Sequence, residues 1–189
     1  MFSTRFRHIV IPALAGIFLL SACSVNVKKE KNGQDKQVDI NAPMGGIHVS
    51  KDASAQDVGL PVYPGATLKE KGNGEDKSAN VNISGFGYGL RVIALEYGSS
   101  DRPDKVIAYY KDQLKKYGNV LVCHTSGLNV NAGKGHGDSH ELSCEGDGSD
   151  IELKVGTQEN QHIVAVESSG SGSNFSLVYV RTHGKDAEI

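Results

Sequence analysis

The sequence of 189 residues contains no tryptophan, and it has only two methionines, three cysteines and five prolines. It also lacks an excess of charge of either sign, because 20 Lys and Arg residues face 22 Asp and Glu residues. This near-neutral composition excludes a strongly basic nucleic-acid-binding domain. An apolar content of 38% excludes a multi-pass membrane protein, a coiled coil and a fully disordered chain. Once a targeting segment is set aside, one domain of ordinary size remains.

The start of the chain has the three-part layout of a secretory signal peptide. Arg5 and Arg7 provide a basic head, residues 9–20 form an almost unbroken apolar run, and small residues follow. This run of 12 residues is too short to cross a hydrocarbon core of about 30 Å as a permanent helix. The pattern therefore predicts export of the chain, followed by cleavage.

The segment Leu20-Ser21-Ala22-Cys23 resembles the lipobox of bacterial lipoproteins, in which an aliphatic residue and two small residues precede a cysteine. The resemblance implies that residues 1–22 are a cleaved lipoprotein signal peptide and that Cys23 becomes the lipidated first residue of the mature chain. Several acyl chains on one residue suffice for stable membrane attachment. Ser24 stands where Asp would resemble an inner-membrane retention signal, which favours the outer membrane and a domain facing the periplasm. The alternative is an ordinary signal peptide followed by an incidental cysteine.

The two remaining cysteines predict a disulfide. An exported domain lies in an oxidising compartment, where paired cysteines are interpreted first as a disulfide. Cys123 and Cys144 flank residues 125–138, a Gly- and Asn-rich segment that cannot bury enough apolar surface to order itself. A bond between the two cysteines would fasten the chain on both sides of this segment. Two free, buried thiols are the alternative.

Composition divides the mature chain into three parts. Residues 23–58 are polar and short of core material, and they predict a tether that holds the domain clear of the lipid surface. Within this tether, the alternating segments 25–27 and 38–40 indicate a short β-hairpin, to which residues 47–49 could add a third strand. Such a ribbon would be marginal alone, so its β-structure is either transient or docked on the domain. Residues 59–183 are predicted to form a single folded domain, and residues 184–189 a polar tail.

One main helix is predicted over residues 101–117. Val106, Tyr110 and Leu114 recur at helical spacing and form an apolar stripe. Asp101 precedes this stripe as a predicted N-cap, and lysines occupy the last turns, where they complement the helix dipole. The stripe is interpreted as a core-facing surface and not as a ligand site.

The other periodic segments have the alternation of β-strands and short, polar turns between them. These segments are 66–71, 79–84, 89–97, 119–124, 139–145, 150–156, 160–167 and 174–182. Short connections favour antiparallel neighbours, because parallel pairs need a crossover. The predicted fold is therefore α+β: a twisted antiparallel sheet of about seven or eight strands, packed by one main helix. Segment 160–167 is apolar on both faces, which predicts a central strand beneath the helix.

Two further motifs accompany this predicted fold. Tyr63-Pro64-Gly65-Ala66 (YPGA) opens the domain, and the helix contains a V-x-x-Y-Y pattern that ends on Tyr110. Together they resemble a loosely defined group of uncharacterised bacterial envelope lipoproteins, over roughly residues 59–182. The resemblance implies a shared structure and no assigned activity, so no catalytic residue or cofactor is carried over from it.

The glycine-rich segment 85–89 is a candidate binding site. It follows a predicted strand, but another strand follows it, so no helix N-terminus is available to hold a phosphate group. A hairpin turn is the favoured interpretation. Phe86 and Tyr88 would then be exposed at the turn, where they could bind a partner in the envelope.

Three histidines near the cysteines are the weak candidates for a metal site: His124, His136 and His140. The oxidising compartment argues against thiolate ligands, and the cysteine spacing contains no C-x-x-C element. No catalytic motif such as G-x-S-x-G is present. The favoured function is therefore a lipid-anchored, non-catalytic envelope protein with a binding or structural role. An envelope enzyme with an unrecognised site and a weak metal-binding module at the three histidines are the alternatives.

Overall fold

Within the residues that the computed structural model describes (23–29, 35–72, 76–127 and 141–183), ten strands form one antiparallel sheet. The strands are β1 (Ser24–Lys29), β2 (Asp35–Ala42), β3 (Gly45–Ser50), β4 (Thr67–Leu68), β5 (Ser78–Gly85), β6 (Tyr88–Ser99), β7 (Leu121–Thr125), β8 (Asp150–Thr157), β9 (Asn160–Ser169) and β10 (Gly172–His183). Their order is β1-β2-β3-β5-β6-β10-β9-β8-β7, and β4 pairs with β6 beside this path. The same part of the chain forms a short helix α1 (Ala55–Val58) and the main helix α2 (Pro103–Leu114), which continues into a 3-10 turn, Lys115–Tyr117.

The fold is α+β, as the sequence predicts, but the sheet has ten strands and not seven or eight. The additional strands come from residues 24–50. The predicted strand 66–71 is reduced to the two residues of β4. The predicted strand 139–145 is wrong for its described part, because residues 141–145 form no strand; residues 139 and 140 lie outside the described residues. β8 already has β7 and β9 as neighbours, so no position beside β8 is left for this segment.

Of the two alternatives for the predicted tether, the structure has the docked one, since β1, β2 and β3 are built into the sheet. β1 starts at Ser24, directly after Cys23, and pairs with β2. β2 pairs with β3, and β3 pairs along its whole length with β5. A two-stranded hairpin is marginal alone, and this pairing with the main sheet supplies the partner that local sequence does not reveal.

The main core lies between α2 and the strands β8, β9 and β10. Val106, Tyr110 and Leu114 form the predicted apolar stripe of α2, and all three side chains are fully buried. Val164 of β9 and Leu177 of β10 are buried in the same cluster. β9 therefore lies beneath the helix between β8 and β10, as the sequence predicts.

The predicted N-cap of the main helix is wrong. Helix α2 begins at Pro103 with Arg102 as its N-cap, and the Arg102 side chain makes no capping hydrogen bond. The Asp101 carboxylate instead accepts hydrogen bonds from Lys105 Nζ at 2.7 Å and from Tyr63 Oη at 2.8 Å. These two hydrogen bonds hold the pKa of Asp101 below its usual value. Asp101 thus ties the helix to the segment that opens the domain.

The apolar side of the sheet changes between its two halves. Leu95 of β6 is buried beneath the helices, and Arg91 lies four residues earlier on the same face of the strand. Arg91 pairs with Asn82 of β5, which in turn pairs with His48 of β3. The helix-side face is therefore apolar at β6–β10 but polar at β3 and β5. The apolar residues of the N-terminal strands project from the opposite face.

Candidate functional site

Two rows of residues, apolar except for Thr182, run across the face opposite α2, with one residue in each row from each of β1, β2, β3, β5, β6 and β10. The pairing register aligns Val27, Val38, Val49, Val81, Val92 and Val180 in the first row. It aligns Val25, Ile40, Ile47, Ile83, Leu90 and Thr182 in the second row. Directly opposed side chains in an antiparallel sheet contact one another, so each row is a continuous apolar strip. Over β1, β2, β3 and β5, the side chains of both rows are exposed or half-buried.

A groove lies where the second row reaches one end of the sheet. Pro43 and Met44 in the β2–β3 turn, Phe86 in the β5–β6 turn and His183 at the end of β10 bound it, and Ile83 lines it. Its volume is about 970 Å³, and its surface is mostly carbon. The described lining contains no Asp, Glu, Lys or Arg side chain. An apolar concavity of this size is typical of a binding site.

Phe86 and Tyr88, the predicted partner-binding residues, both line this groove. Phe86 is 72% exposed and Tyr88 is 66% exposed. Phe86 has φ 54° and Gly87 has φ 83°, as in a type I′ hairpin turn. Among the described residues, Phe86 is the only residue other than glycine with a positive φ. This conformation costs on the order of 1–3 kcal/mol at such a residue, and most of the ring remains exposed to water.

The structure adds residues to the site that the sequence did not identify. Met44, Ile47 and Ile83 are exposed apolar side chains that line the same groove as Phe86. Met44 and Ile47 were missed because their segment was interpreted as a tether. The signal that could have found them is the alternation Ile40, Ala42 and then Ile47, Val49 on either side of a Pro-Met-Gly-Gly turn.

Glycines allow the parts of the groove to approach one another. A Cβ atom at Gly45 would overlap the carbonyl oxygen of Ser84 on the neighbouring strand. A Cβ atom at Gly89 would overlap the imidazole ring of His183. Glycine is required at Gly45, where the overlap is with backbone atoms, whereas at Gly89 the exposed His183 side chain would have to move. The two turns are therefore held side by side, with the His183 ring packed on β6.

Cys23, the predicted lipidation site, lies at the same end of the sheet. The next residue, Ser24, pairs with Asn41 near the end of β2, and Val25 pairs with Ile40 of the second row. Cys23 is exposed, and its thiol is free. The predicted attachment point and the groove are therefore separated only by the β1–β2 pairing.

Cys123 and Cys144, the predicted disulfide pair, are joined in the structure, with their Cα atoms 5.2 Å apart. Cys123 lies on β7 and is almost fully buried, whereas Cys144 belongs to the irregular segment before β8. The bond fastens this segment to the edge of the sheet, where it has no strand pairing of its own. It lies on β7, across the sheet from the groove.

Of the three histidines considered for a metal site, only His124 lies within the described residues. It is exposed on β7. His136 and His140 lie outside the described residues. Among the described side chains, no group of three His, Cys, Asp or Glu residues could hold a metal ion.

The polar face of the N-terminal strands carries a histidine and a carboxylate in contact. His48 Nδ1 contacts Asp39 Oδ1, and Gln37 Nε2 donates a hydrogen bond to the other oxygen of Asp39 at 3.0 Å. The described partners of this histidine are a carboxylate and an amide, and neither is a nucleophile that an imidazole base could activate. Asp39 is on β2 and His48 is on β3, so the contact links the two strands.

A second histidine predicts how stability depends on pH. His162 of β9 is buried, and its ring stacks on Tyr117 with 3.8 Å between ring centroids. Burial lowers the pKa of His162, although a hydrogen bond to the Val58 carbonyl opposes the shift. Below about pH 6.5, the unfolded chain therefore binds a proton at this residue more readily than the folded chain. We expect the free energy of unfolding to fall as the pH drops from about 6.5 towards 5.

Urea unfolding at several pH values measures this effect. His162→Gln should remove part of the slope between about pH 6.5 and pH 5. Equal slopes in the His162→Gln variant and the wild type would contradict the prediction.

Comparisons with known proteins leave the function to be inferred from the chain itself. No protein-family model, no curated protein and no solved structure matches the chain. Within the part of the chain that the structure describes, no helix is both long and apolar enough to cross a membrane.

Proposed function

We propose that this protein is a lipid-anchored, non-catalytic protein of the bacterial cell envelope, and that it binds another envelope component through the apolar groove. The observation that carries the proposal is the groove itself, with Phe86 and Tyr88 exposed at its rim. The lipobox-like segment before Cys23 supports a lipid anchor, with the outer membrane and a periplasmic domain as the favoured location.

The chemistry of the groove favours binding over catalysis. General acid–base catalysis needs titratable groups within hydrogen-bonding reach of the reacting atoms. In the described lining, the titratable side chains are His183 and Tyr88, and carbon atoms make up most of the remaining surface. Such a surface suits an apolar partner, because contact removes carbon from water without burying an unpaired charge.

The conformation of Phe86 also supports a binding role. Asn-Gly is the preferred pair for a type I′ turn, yet this chain has Phe-Gly. The phenylalanine is thus unfavourable for the backbone and exposed to water. Residues held in such conformations cluster at functional sites, where another interaction compensates for the strain.

The lipid anchor is tested by replacing Cys23. The Cys23→Ala variant cannot form a thioether, so we expect it to lose metabolic labelling by palmitate and to leave the membrane fraction or remain an uncleaved precursor. Ser24→Ala is the matched control, because it changes the neighbouring residue but keeps the Cys23 thiol and the Cys123–Cys144 disulfide, and it should keep the label. Equal labelling of the wild type and the Cys23→Ala variant would contradict lipidation at this residue.

A further inference from the structure

The structure leaves no linker between Cys23 and the sheet. Ser24 is both the next residue in the chain and the first residue of β1, and it pairs with Asn41 of β2. Adjacent Cα atoms are about 3.8 Å apart, so a lipid on Cys23 would be attached at the edge of the folded domain. Acyl chains held in a bilayer would therefore bring this end of the sheet to the membrane surface.

The residues at this end of the sheet suit that position. The start of β1, the β2–β3 turn and the β5–β6 turn all lie there, because the strands are antiparallel neighbours. Met44, Phe86 and Tyr88 are exposed in or beside those turns. Exposed apolar side chains are thus concentrated where the anchor begins.

We infer that the groove docks on the lipid leaflet that holds the Cys23 lipid, with Met44, Phe86 and Tyr88 inserted at the boundary between head groups and acyl chains. The inference rests on the lipid anchor of the proposed function and names the envelope component that the groove binds. The apolar rims of the two turns enter the bilayer, and α2 lies on the opposite face of the sheet.

The physical chemistry of the groove favours a lipid surface. Interfacial segments bury their apolar side chains about 5–10 Å into the boundary between head groups and acyl chains. Tyrosine suits this boundary because its ring is apolar and its hydroxyl can remain hydrated. The described lining carries no carboxylate, ammonium or guanidinium group that would have to leave water.

The anchor also makes weak apolar contacts sufficient. Once Cys23 is attached, docking is intramolecular, and a short connection gives an effective concentration in the millimolar range. Three apolar side chains that would bind a vesicle poorly on their own can then remain docked. Contact with lipid would also compensate for the backbone strain at Phe86.

The absence of tryptophan provides the test. In the lipidated protein, Phe86→Trp creates a single indole fluorophore in the groove. Val62→Trp is the control, at a position that is 38% exposed but lies far from the groove. The neighbour of Val62, Tyr63, donates a hydrogen bond to Asp101, which follows the other end of β6. Each protein is reconstituted in phosphatidylcholine vesicles, with and without bromine on the acyl chains. We expect the Phe86→Trp protein to emit at shorter wavelength and to lose intensity in brominated lipid, and the Val62→Trp protein to do neither.

The failure of the inference is distinguishable from the failure of the proposed function. A mature protein that carries no acyl chain on Cys23 would overturn the anchor itself. A lipidated protein that floats with the vesicles, but whose Phe86→Trp indole is no more quenched than that of Val62→Trp, would overturn the docking alone. If the Phe86→Trp emission shifts to shorter wavelength but bromine does not quench it, docking on lipid is overturned in favour of a protein partner, such as a second copy of this chain.

A second variant separates docking from folding. Phe86→Asn creates the Asn-Gly pair that type I′ turns prefer, so the variant should fold at least as stably as the wild type. In the Tyr88→Trp background, we expect Phe86→Asn to reduce quenching by brominated lipid. Unchanged quenching, with the protein folded and lipidated, would show that Phe86 does not hold the groove at the membrane.

Discussion

Replacing Cys123 and Cys144 together by alanine is expected to lower the free energy of unfolding by about 3 kcal/mol. The two residues are 21 positions apart in sequence, and the bond between them restricts the unfolded chain over this loop. Residues 141–149 form no strand, so the bond attaches them to the edge of the sheet in addition to the backbone that leads into β8. A loss of this size is a large part of the ~5–15 kcal/mol expected for one domain.

Urea unfolding measures the loss. With a slope of about 2 kcal/mol per molar urea, the midpoint should fall by about 1.5 M. Adding a reductant should lower the midpoint of the wild type by a similar amount and leave the double variant unchanged. Cys23→Ala, made in a mature chain without lipid, is the matched control and should keep the wild-type midpoint. A wild-type midpoint that does not respond to reductant would contradict a stabilising disulfide.

The sequence predicted the C-terminal half of the fold best. The buried face of helix α2 coincides with its apolar period. Strands β8, β9 and β10 are buried on both faces over much of their length, and β8 buries the charged residues Glu152 and Lys154 beside its apolar ones. In these elements, local preference and tertiary packing favour the same structure. The α+β class follows from them.

The N-terminal strands could not be predicted in the same way. β1, β2 and β3 have short apolar alternations that are also compatible with an isolated hairpin. Their place in the sheet depends on the pairing between β3 and β5, which lie about 30 residues apart in sequence. Local sequence contains no information on that register. The predicted tether and the low strand count both result from this limit.

Local signals also failed where a side chain had a competing partner. Asp101 is a residue type favoured at N-caps and stands at the right position, but its carboxylate accepts hydrogen bonds from Tyr63 and Lys105 instead. Of the residues that line the groove, the sequence predicts only Phe86 and Tyr88 as binding residues, because the others come together through long-range strand pairing. Phe86 and Tyr88 are marked by the glycines around them, whereas Met44 and Ile47 join them only through the pairing of β3 with β5.

The YPGA segment and the V-x-x-Y-Y pattern of the main helix meet inside the fold. The backbone N–H of Tyr63, in the YPGA segment, donates a hydrogen bond to Tyr110 Oη at 3.0 Å. Tyr110 Oη in turn donates to the carbonyl oxygen of Pro61 at 3.1 Å. Tyr110 is fully buried in α2, and this burial raises the pKa of its hydroxyl. One hydroxyl group therefore fastens the segment that opens the domain to the main helix.

Tyr110→Phe is expected to lower the free energy of unfolding by about 2 kcal/mol, because it leaves a buried N–H donor and a carbonyl acceptor without their partner. Tyr109→Phe is the matched control, since it removes the same atom from the neighbouring, partly buried tyrosine, and it should change stability by less than about 0.5 kcal/mol. Urea unfolding of both variants at pH 7 measures the difference. If the two losses are equal, the hydroxyl of Tyr110 does not hold the YPGA segment, and the two motifs occur together for another reason.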